Sequence, residues 1–174
     1  MITLIFDTET TGLPLPRIAD LNKQPKIIEL AIAKFIDGKP AGKYSWLIDP
    51  QEPLEAVITK ITGLTDEDLK DKPKFAEILS EVVEVFTGAD EMIAHNLPFD
   101  QSLLEFELAR LKCEDFPWPV IKTCTVQEYR HRFGRYVKLT ELYESILLKP
   151  LAQTHRAMDD VDALVELLVA DGYL

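Results

Sequence analysis

Residues 2–12, ITLIFDTETTG, decide the fold because an apolar run passes directly into two carboxylates. Residues 2–6 have the continuous apolar character of a buried β-strand. Side chains alternate between the two faces of a strand, so Asp7 and Glu9 project from the same face, close enough to share a cation. Two such carboxylates repel each other unless a positive charge lies between them. The alternative interpretation is an ordinary polar strand end that runs into a Thr-Gly turn.

Further strands and helices follow this stretch. A turn at residues 37–40 separates two strands, which predicts a β-meander with the first strand. After residue 74 apolar residues recur at helical spacing, and helices then alternate with short strands. We predict strands at residues 2–6, 27–36, 43–48, 91–94 and 120–124, and helices at residues 74–86, 99–111, 139–147 and 156–170. Residues 1–174 are therefore expected to form a single α/β domain, a mixed five-stranded sheet flanked by helices.

The composition limits the classes of protein to consider. The chain has 174 residues, the length of one ordinary globular domain. It contains no apolar run near the roughly 20 residues that cross a bilayer and no signal peptide, so we expect a soluble, cytoplasmic protein without membrane contact. Cys113 and Cys124 do not form a close pair and are expected to be reduced. The formal net charge of −11 argues against a surface that binds phosphate everywhere, although acids that gather cations are compatible with nucleic acid.

One stretch opposes this acidic trend. Residues 129–138, YRHRFGRYVK, carry four positive charges and three aromatic rings without an acid. Such a stretch can stack on bases and contact the backbone of a single strand. A solvated helix face with some aromatic rings buried is the alternative, and the sequence favours neither interpretation.

The second acidic position lies where a predicted strand passes into a helix, in residues 95–100, HNLPFD. Pro98 supports a helix start at this point. Asp100 is a candidate metal ligand at the junction. The alternative is that Asp100 caps the helix or complements the positive end of its dipole, and the residues alone favour this alternative.

The third acidic position opens the last helix, in residues 155–160, HRAMDD. The buried stripe of that helix consists of Ala157, Val161, Leu164, Val165 and Leu168. At about 100° per residue, Asp160 falls at the edge of the stripe and points to the sheet, whereas Asp159 points to solvent. A continuous helix would put His155 on the side away from Asp160. We therefore expect His155 in the preceding loop or in a frayed first turn.

Four carboxylates without softer ligands suit a hard divalent cation such as Mg²⁺ or Mn²⁺. The candidate metal ligands are Asp7, Glu9, Asp100 and Asp160. Two such ions can activate water and stabilise the leaving oxygen in phosphodiester hydrolysis, while a nearby histidine takes the proton. His155 is the candidate general base.

Together the three motifs resemble those of the DEDDh exonuclease family, specifically those of the proofreading epsilon subunits of bacterial DNA polymerase III. FDTETTGL resembles the first motif, HNLPFD the second and HRAMDD the third. The resemblance extends from about residue 1 to residue 170. It implies an RNase H-like fold, two Mg²⁺ or Mn²⁺ ions, and release of 5′-mononucleotides from a single-stranded 3′ end.

The resemblance also implies roles for particular residues. Asp7, Glu9 and Asp160 would ligate the catalytic metal, with Asp7 bridging to a second ion. Asp100 would act mostly through coordinated water. The pocket for the terminal nucleotide would be lined by Thr8, Thr10, Thr11, Gly12 and Leu13 and bordered by His95 and Asn96. The family usually has an acid at the position of Lys122, a departure that concerns packing or strand contact more than the metal site.

Several alternatives remain open at this point. His95 also precedes an aspartate by five residues, and only the resemblance ranks His155 above it as the base. DNA is the favoured substrate, with proofreading, repair or degradation as the role, because DTETTGL is typical of the DNA-acting relatives. An exoribonuclease that trims RNA 3′ ends or short oligoribonucleotides is the alternative enzyme. A noncatalytic module that binds nucleic acid or a DNA polymerase is a third hypothesis, and a polymerase is also a possible partner of the enzyme.

Overall fold

A mixed five-stranded sheet forms the centre of the protein. The computed structural model describes residues 1–16 and 20–174. The strands are β1 (Ile2–Thr10), β2 (Ile27–Ile36), β3 (Lys39–Leu47), β4 (Glu91–Ala94) and β5 (Ile121–Cys124). They lie in the order β3-β2-β1-β4-β5. The first three are antiparallel neighbours, and β4 is parallel to both β1 and β5. The predicted α/β class, the strand number and the β-meander are confirmed.

The helices follow the strands on both faces of the sheet. They are α1 (Ala56–Thr62), α2 (Asp66–Leu69), α3 (Phe75–Phe86), α4 (Leu97–Arg110), α5 (Thr125–Glu128), α6 (Arg130–Phe133), α7 (Leu139–Leu147) and α8 (Ala157–Ala170). The four long helices were predicted, with starts and ends within two residues of those observed. The sequence prediction missed α1, whose β-branched residues have low helix propensity. It also missed the three four-residue helices, which are too short to show a helical period.

Two predicted strand boundaries are wrong. β1 does not end at Phe6 but continues to Thr10, because β2 pairs with its polar residues through the register Thr8 to Leu30 and Glu9 to Glu29. The ladder of backbone hydrogen bonds, and not the apolar run, sets the end of the strand. β3 spans Lys39–Leu47 and not residues 43–48, since an edge strand with exposed polar side chains has no apolar signal at its start.

Each face of the sheet has its own core. Leu4 and Phe6 of β1 pack with α3 and α4 on one face. Ile5 lies on the other face with α7 and α8. On that second face β2 contributes Ala31 and Ala33, and these small side chains allow α8 to approach the strands closely. β1 therefore runs between α4 on one side and α8 on the other.

The described residues bear on two expectations from the composition. None of their helices is long and apolar enough to cross a membrane. Cys113 and Cys124 are both free thiols, and Cys124 is buried. The cytoplasmic location stays a prediction.

Candidate active site

Asp7 and Glu9 extend from β1 on the face that α8 covers. They alternate with buried residues along the strand and share the face of Ile5. Asp7 lies opposite Ala31 of β2, whose small side chain leaves room above the strand, and Glu9 lies opposite Glu29. Both carboxylates are half-buried. They stand next to each other at the carboxyl end of β1, as strand alternation predicts.

Asp100 reaches the same strand from α4 and is only 2% exposed. The backbone N–H of Thr8 donates to Asp100 Oδ1 at 3.1 Å, and the Thr8 hydroxyl donates to the same oxygen at 2.7 Å. These two bonds fix the carboxylate against β1 and use only Oδ1. Asn96, and not Asp100, is the N-cap residue of α4, but Asp100 lies in the first turn, where its charge also complements the positive end of the helix dipole, the other half of the alternative that the residues alone favoured.

Asp160 comes from the first turn of α8 and is buried, whereas Asp159 is exposed. The helix phase predicted from the apolar stripe is correct. The side-chain amide of Gln153 donates to both oxygens of Asp160, at 3.1 and 3.2 Å. Gln153 was missed in the sequence because no regular spacing connects it to the motif.

His155 lies outside α8, in the irregular segment that precedes the helix. Its backbone has a φ of 53°, in the left-handed region that non-glycine residues rarely adopt. The ring is exposed, and its nitrogen approaches Glu9 and Asp160 so that one ligand atom of each residue lies within 4.8 Å of the others. These three residues form a group able to hold a metal ion, and the expected position of His155 in a loop is met.

The crowding of carboxylates changes their acidity. Burial raises the pKa of Asp7 well above its usual value, and the charges of Asp100, Asp160 and Glu9 raise it further. Burial and repulsion from Asp160 raise the pKa of Glu9 to about 8. Burial raises the pKa of Asp100 to about 7 and also raises the pKa of Asp160. A cation among the four would remove the repulsion, so this donor set fits a hard divalent metal.

His95 has a different environment from His155. Burial lowers the pKa of His95 to about 4, so its ring is neutral near pH 7. Its Nε2 donates to the carbonyl oxygen of Val137 at 3.0 Å. In the neutral ring Nδ1 is then an acceptor, and it lies 2.9 Å from the hydroxyl of Thr125. Both nitrogens of His95 are engaged, and the ring connects the end of β4 to the segments after β5.

Glu29 is a fifth carboxylate beside the site, buried, to which the sequence reasoning assigned no role. The Arg156 guanidinium donates to it from Nε and Nη2, each at 2.9 Å, and the backbone N–H of Ala157 donates at 3.2 Å. Glu29 is 2% exposed and lies beside Glu9 across the β1–β2 ladder. The pair ties the start of α8 to the sheet, directly between His155 and Asp160. Two features of the sequence could have indicated this ion pair: an acid within the apolar strand at residues 27–36, and the arginine within the third motif.

A cavity of about 720 Å³ opens beside Glu9 at the end of β1. Its lining includes the predicted residues Thr8, Thr10, Thr11, Gly12 and Leu13. Sequence reasoning missed its apolar wall, which consists of Val57, Ile58 and Ile61 of α1 and Phe99 of α4. His95 and Asn96 are not among the described residues that line this cavity.

The opposite wall of this cavity is held by Arg110. A 3₁₀ turn at Leu21–Lys23 precedes β2, and Gln24 and Pro25 after it line the cavity. The Arg110 guanidinium donates to the carbonyl oxygens of Leu21, Gln24 and Pro25 at 2.7 to 3.2 Å. The Arg110 side chain of α4 therefore fixes the backbone of this wall.

The strand order, the helices on both faces and the acids at the end of the first strand define an RNase H-like nuclease domain. The sequence model of the RNase_T exonuclease family matches residues 4–168. The chain belongs to this exonuclease family, and the predicted membership is confirmed.

The curated relatives are much longer proteins. The PolC-type DNA polymerases III of Halalkalibacterium halodurans and Bacillus subtilis are 33% and 32% identical over 165 and 167 residues, which cover 95% of this chain. The same enzyme of Latilactobacillus sakei is 34% identical over 165 residues. The chain spans 11% of the length of these relatives.

Solved structures share the fold. Exonuclease X in complex with 5′-overhanging duplex DNA has a TM-score of 0.67 at 24% identity, over 99% of this chain and 94% of that chain. A 3′-exonuclease that recognises the histone mRNA stem-loop has a TM-score of 0.77 at 15% identity, over 98% of this chain and 64% of that chain. These likenesses confirm the RNase H-like fold.

The raised pKa values predict how stability depends on pH and metal. Glu9 and Asp100 bind protons more tightly in the folded protein than in the unfolded chain, because folding raises their pKa values to about 8 and about 7. Their contribution to stability is therefore complete below about pH 4 and is lost as the pH rises through about 7 to 8. Without metal, the melting temperature should therefore fall between about pH 5 and pH 8. Added Mn²⁺ should raise it more at the higher pH, because the ion replaces the protons. Thermal melts with and without Mn²⁺ measure both effects.

The variant Asp7→Asn provides the control for this prediction. It removes one repelling charge, so without metal at about pH 8 its melting temperature should exceed that of the parent by a few degrees. Its stabilisation by Mn²⁺ should be weaker. Asp159→Asn, at an exposed neighbouring position, should behave like the parent. An unchanged pH slope in Asp7→Asn would contradict the electrostatic cause.

The contact between Glu29 and Arg156 gives a second prediction. Glu29→Gln should lower the free energy of unfolding by about 1–2 kcal/mol, less than for a fully buried pair because the guanidinium is partly exposed. It should also weaken the stabilisation by Mn²⁺, since the start of α8 carries Asp160. Lys149→Gln breaks an exposed ion pair with Glu166 on α8 and is the matched control. Equal effects of the two variants in chemical denaturation would refute a special role for Glu29.

Proposed function

We propose that this chain is a metal-dependent 3′–5′ exonuclease that hydrolyses the 3′ ends of single-stranded DNA to 5′-mononucleotides, with residues 1–174 acting as one exonuclease domain. The observation that carries the proposal is the convergence of Asp7, Glu9, Asp100 and Asp160 at the end of β1. Membership of the exonuclease family supports the reaction class.

The carboxylates fit two Mg²⁺ or Mn²⁺ ions, which would supply an acidified water and positive charge for the leaving oxygen. In this proposal Asp7, Glu9 and Asp160 hold the catalytic ion, and Asp7 also faces the second. Asp100 acts through coordinated water. The raised pKa values support these roles, because repulsion among the acids makes a cation favourable between them.

His155 is the proposed general base. Its exposed ring lies beside Glu9 and Asp160, in a segment outside the regular helix. His95 is less suited to accept a proton, since its Nδ1 faces the Thr125 hydroxyl and burial lowers its pKa to about 4. In this role His155 would take the proton of the attacking water, and its exposed ring can pass that proton to solvent.

The cavity beside Glu9 is the proposed site for the 3′-terminal nucleotide. The motif backbone at Thr10–Leu13 forms one side, and the apolar side chains of Ile61 and Phe99 form a surface suited to a nucleobase. The lining supports the expected roles of Thr8 and Thr10 to Leu13. The roles of His95 and Asn96 stay predictions, with both residues on the side of β4.

DNA is the proposed substrate because the relatives that share about a third of this sequence are named DNA polymerase III PolC-type. Proofreading beside a DNA polymerase is accordingly the proposed role, with repair or DNA degradation as related roles. An exoribonuclease is the second candidate, favoured by the fold shared with a 3′-exonuclease that recognises an mRNA stem-loop. Metal-assisted hydrolysis of the phosphodiester tolerates either sugar.

The reaction is tested with single-stranded DNA and RNA of one sequence, each labelled at the 5′ end, in the presence of Mg²⁺ or Mn²⁺. A ladder that shortens from the 3′ end, faster on DNA, is expected. Asp7→Ala should lower the rate at least about a hundredfold. No shortening of either polymer by folded protein would refute the enzyme, and faster shortening of RNA would select the exoribonuclease.

The two histidines make a separate prediction. His155→Ala should lower kcat by about a hundredfold or more, the usual contribution of a positioned base, while stabilisation by Mn²⁺ changes little. His95→Ala should act mainly by lowering the melting temperature, because it removes the contacts to Thr125 and Val137. If His95→Ala lowers kcat more than His155→Ala in a folded protein, the assignment is reversed.

A further inference from the structure

The strand order places two surfaces on opposite sides of the catalytic carboxylates. β1 lies in the middle of the sheet, between β2 and β4. The cavity beside Glu9 extends toward the β2 side, because most of its walls come from the segment before β2 and from α1, which follows β3, while Phe99 of α4 completes them. His95 follows β4 and Thr125 follows β5, so the surface around them lies on the other side.

Tyr136 is the aromatic ring on that other side. The His95 ring lies edge-on to it, with 6.4 Å between ring centroids and an angle of 71°. The next residue, Val137, accepts the hydrogen bond from His95. Tyr136 is nevertheless 54% exposed. Its pKa is raised by burial, by Cys124 and by the charge of Asp100, so its hydroxyl lies on the side of the site where α4 contributes Asp100.

The basic stretch around Tyr136 is partly used within the protein. Arg135 forms two hydrogen bonds with Glu141, and Arg132 lies 4.0 Å from Asp171. Arg130 is exposed and forms no ion pair with the residues that the structure describes. Lys138 is exposed as well, and its charge also acts on Glu141. An exposed aromatic ring in a stretch of exposed positive charges is the combination that binds single-stranded nucleic acid.

We infer that Tyr136 stacks on a base of the single strand upstream of the 3′-terminal nucleotide. The inference rests on the proposed function. A terminal nucleotide in the cavity puts its 5′ phosphate over the carboxylates of β1. The rest of the strand then leaves on the side opposite the cavity, over His95 and Tyr136. Tyr136 would thus select a polymer over an isolated nucleotide without taking part in the chemistry.

Binding measurements test this inference independently of cleavage. The probes are a short fluorescent single-stranded DNA and free dTMP, each titrated in Ca²⁺ with the parent, Tyr136→Ala and Tyr136→Phe. Tyr136→Ala should weaken binding of the DNA about tenfold, within the range of one base-aromatic stack, and leave dTMP unchanged. Tyr136→Phe keeps the ring and should bind both probes as the parent does.

Two outcomes would overturn the inference. Equal weakening of DNA and dTMP by Tyr136→Ala would mean that the substitution disturbs the carboxylates, and no weakening of DNA would mean that the ring makes no contact. A different result would refute the proposed function and not this inference: the parent and the variants bind DNA as expected, but the parent cleaves no nucleic acid.

Cleavage gives a second readout for an active enzyme. Thymidine 5′-p-nitrophenyl phosphate has a terminal nucleotide and a scissile ester but no upstream base. Tyr136→Ala should hydrolyse this ester as fast as the parent and lose about tenfold in kcat/KM on the oligonucleotide. A parallel loss on both substrates would again contradict the role of Tyr136.

Discussion

Repulsion among four carboxylates at the end of β1 is the constraint on which the other features depend. Backbone pairing with β2 holds Asp7 and Glu9 in place, the two hydrogen bonds from Thr8 hold Asp100, and Gln153 holds Asp160. Each contact brings a negative charge toward the others, as the raised pKa values record. The fold thus holds the four carboxylates close together although their repulsion is unfavourable without a cation. Such preorganisation is typical of a binding site for hard metal ions.

α4 and α8 lie on opposite faces of the sheet, and each must bring its carboxylate to the end of β1. α4 reaches it from one face with Asp100, and α8 reaches it from the other with Asp160. The contact of Glu29 with Arg156 and the Ala157 N–H fixes the start of α8. Because Glu29 pairs with Glu9 in the ladder, the same two strands set the position of a ligand and of the helix opposite it.

The sequence predicts most of the fold and much of the site, because strand alternation and helix phase are local properties. They correctly place Asp7 beside Glu9 and turn Asp160, not Asp159, toward the sheet. Local periodicity cannot show contacts between distant segments. The hydrogen bonds from Thr8 to Asp100 span 92 residues and those from Arg156 to Glu29 span 127, so they follow from tertiary packing alone. α1, which contributes most of the apolar wall of the cavity, was missed for a different reason, because its β-branched residues have low helix propensity.

The rigidity of the candidate site is unequal. The carboxylates stand on a central strand and on the first turns of two helices, where their positions are set by backbone hydrogen bonds and buried neighbours. His155 lies in the irregular segment before α8, where its backbone has a left-handed conformation, and its ring is exposed. Metal ligands need fixed mutual distances, whereas a group that takes up and releases a proton must exchange with solvent in each cycle. The division between regular elements and loop therefore matches the proposed division between holding cations and moving a proton.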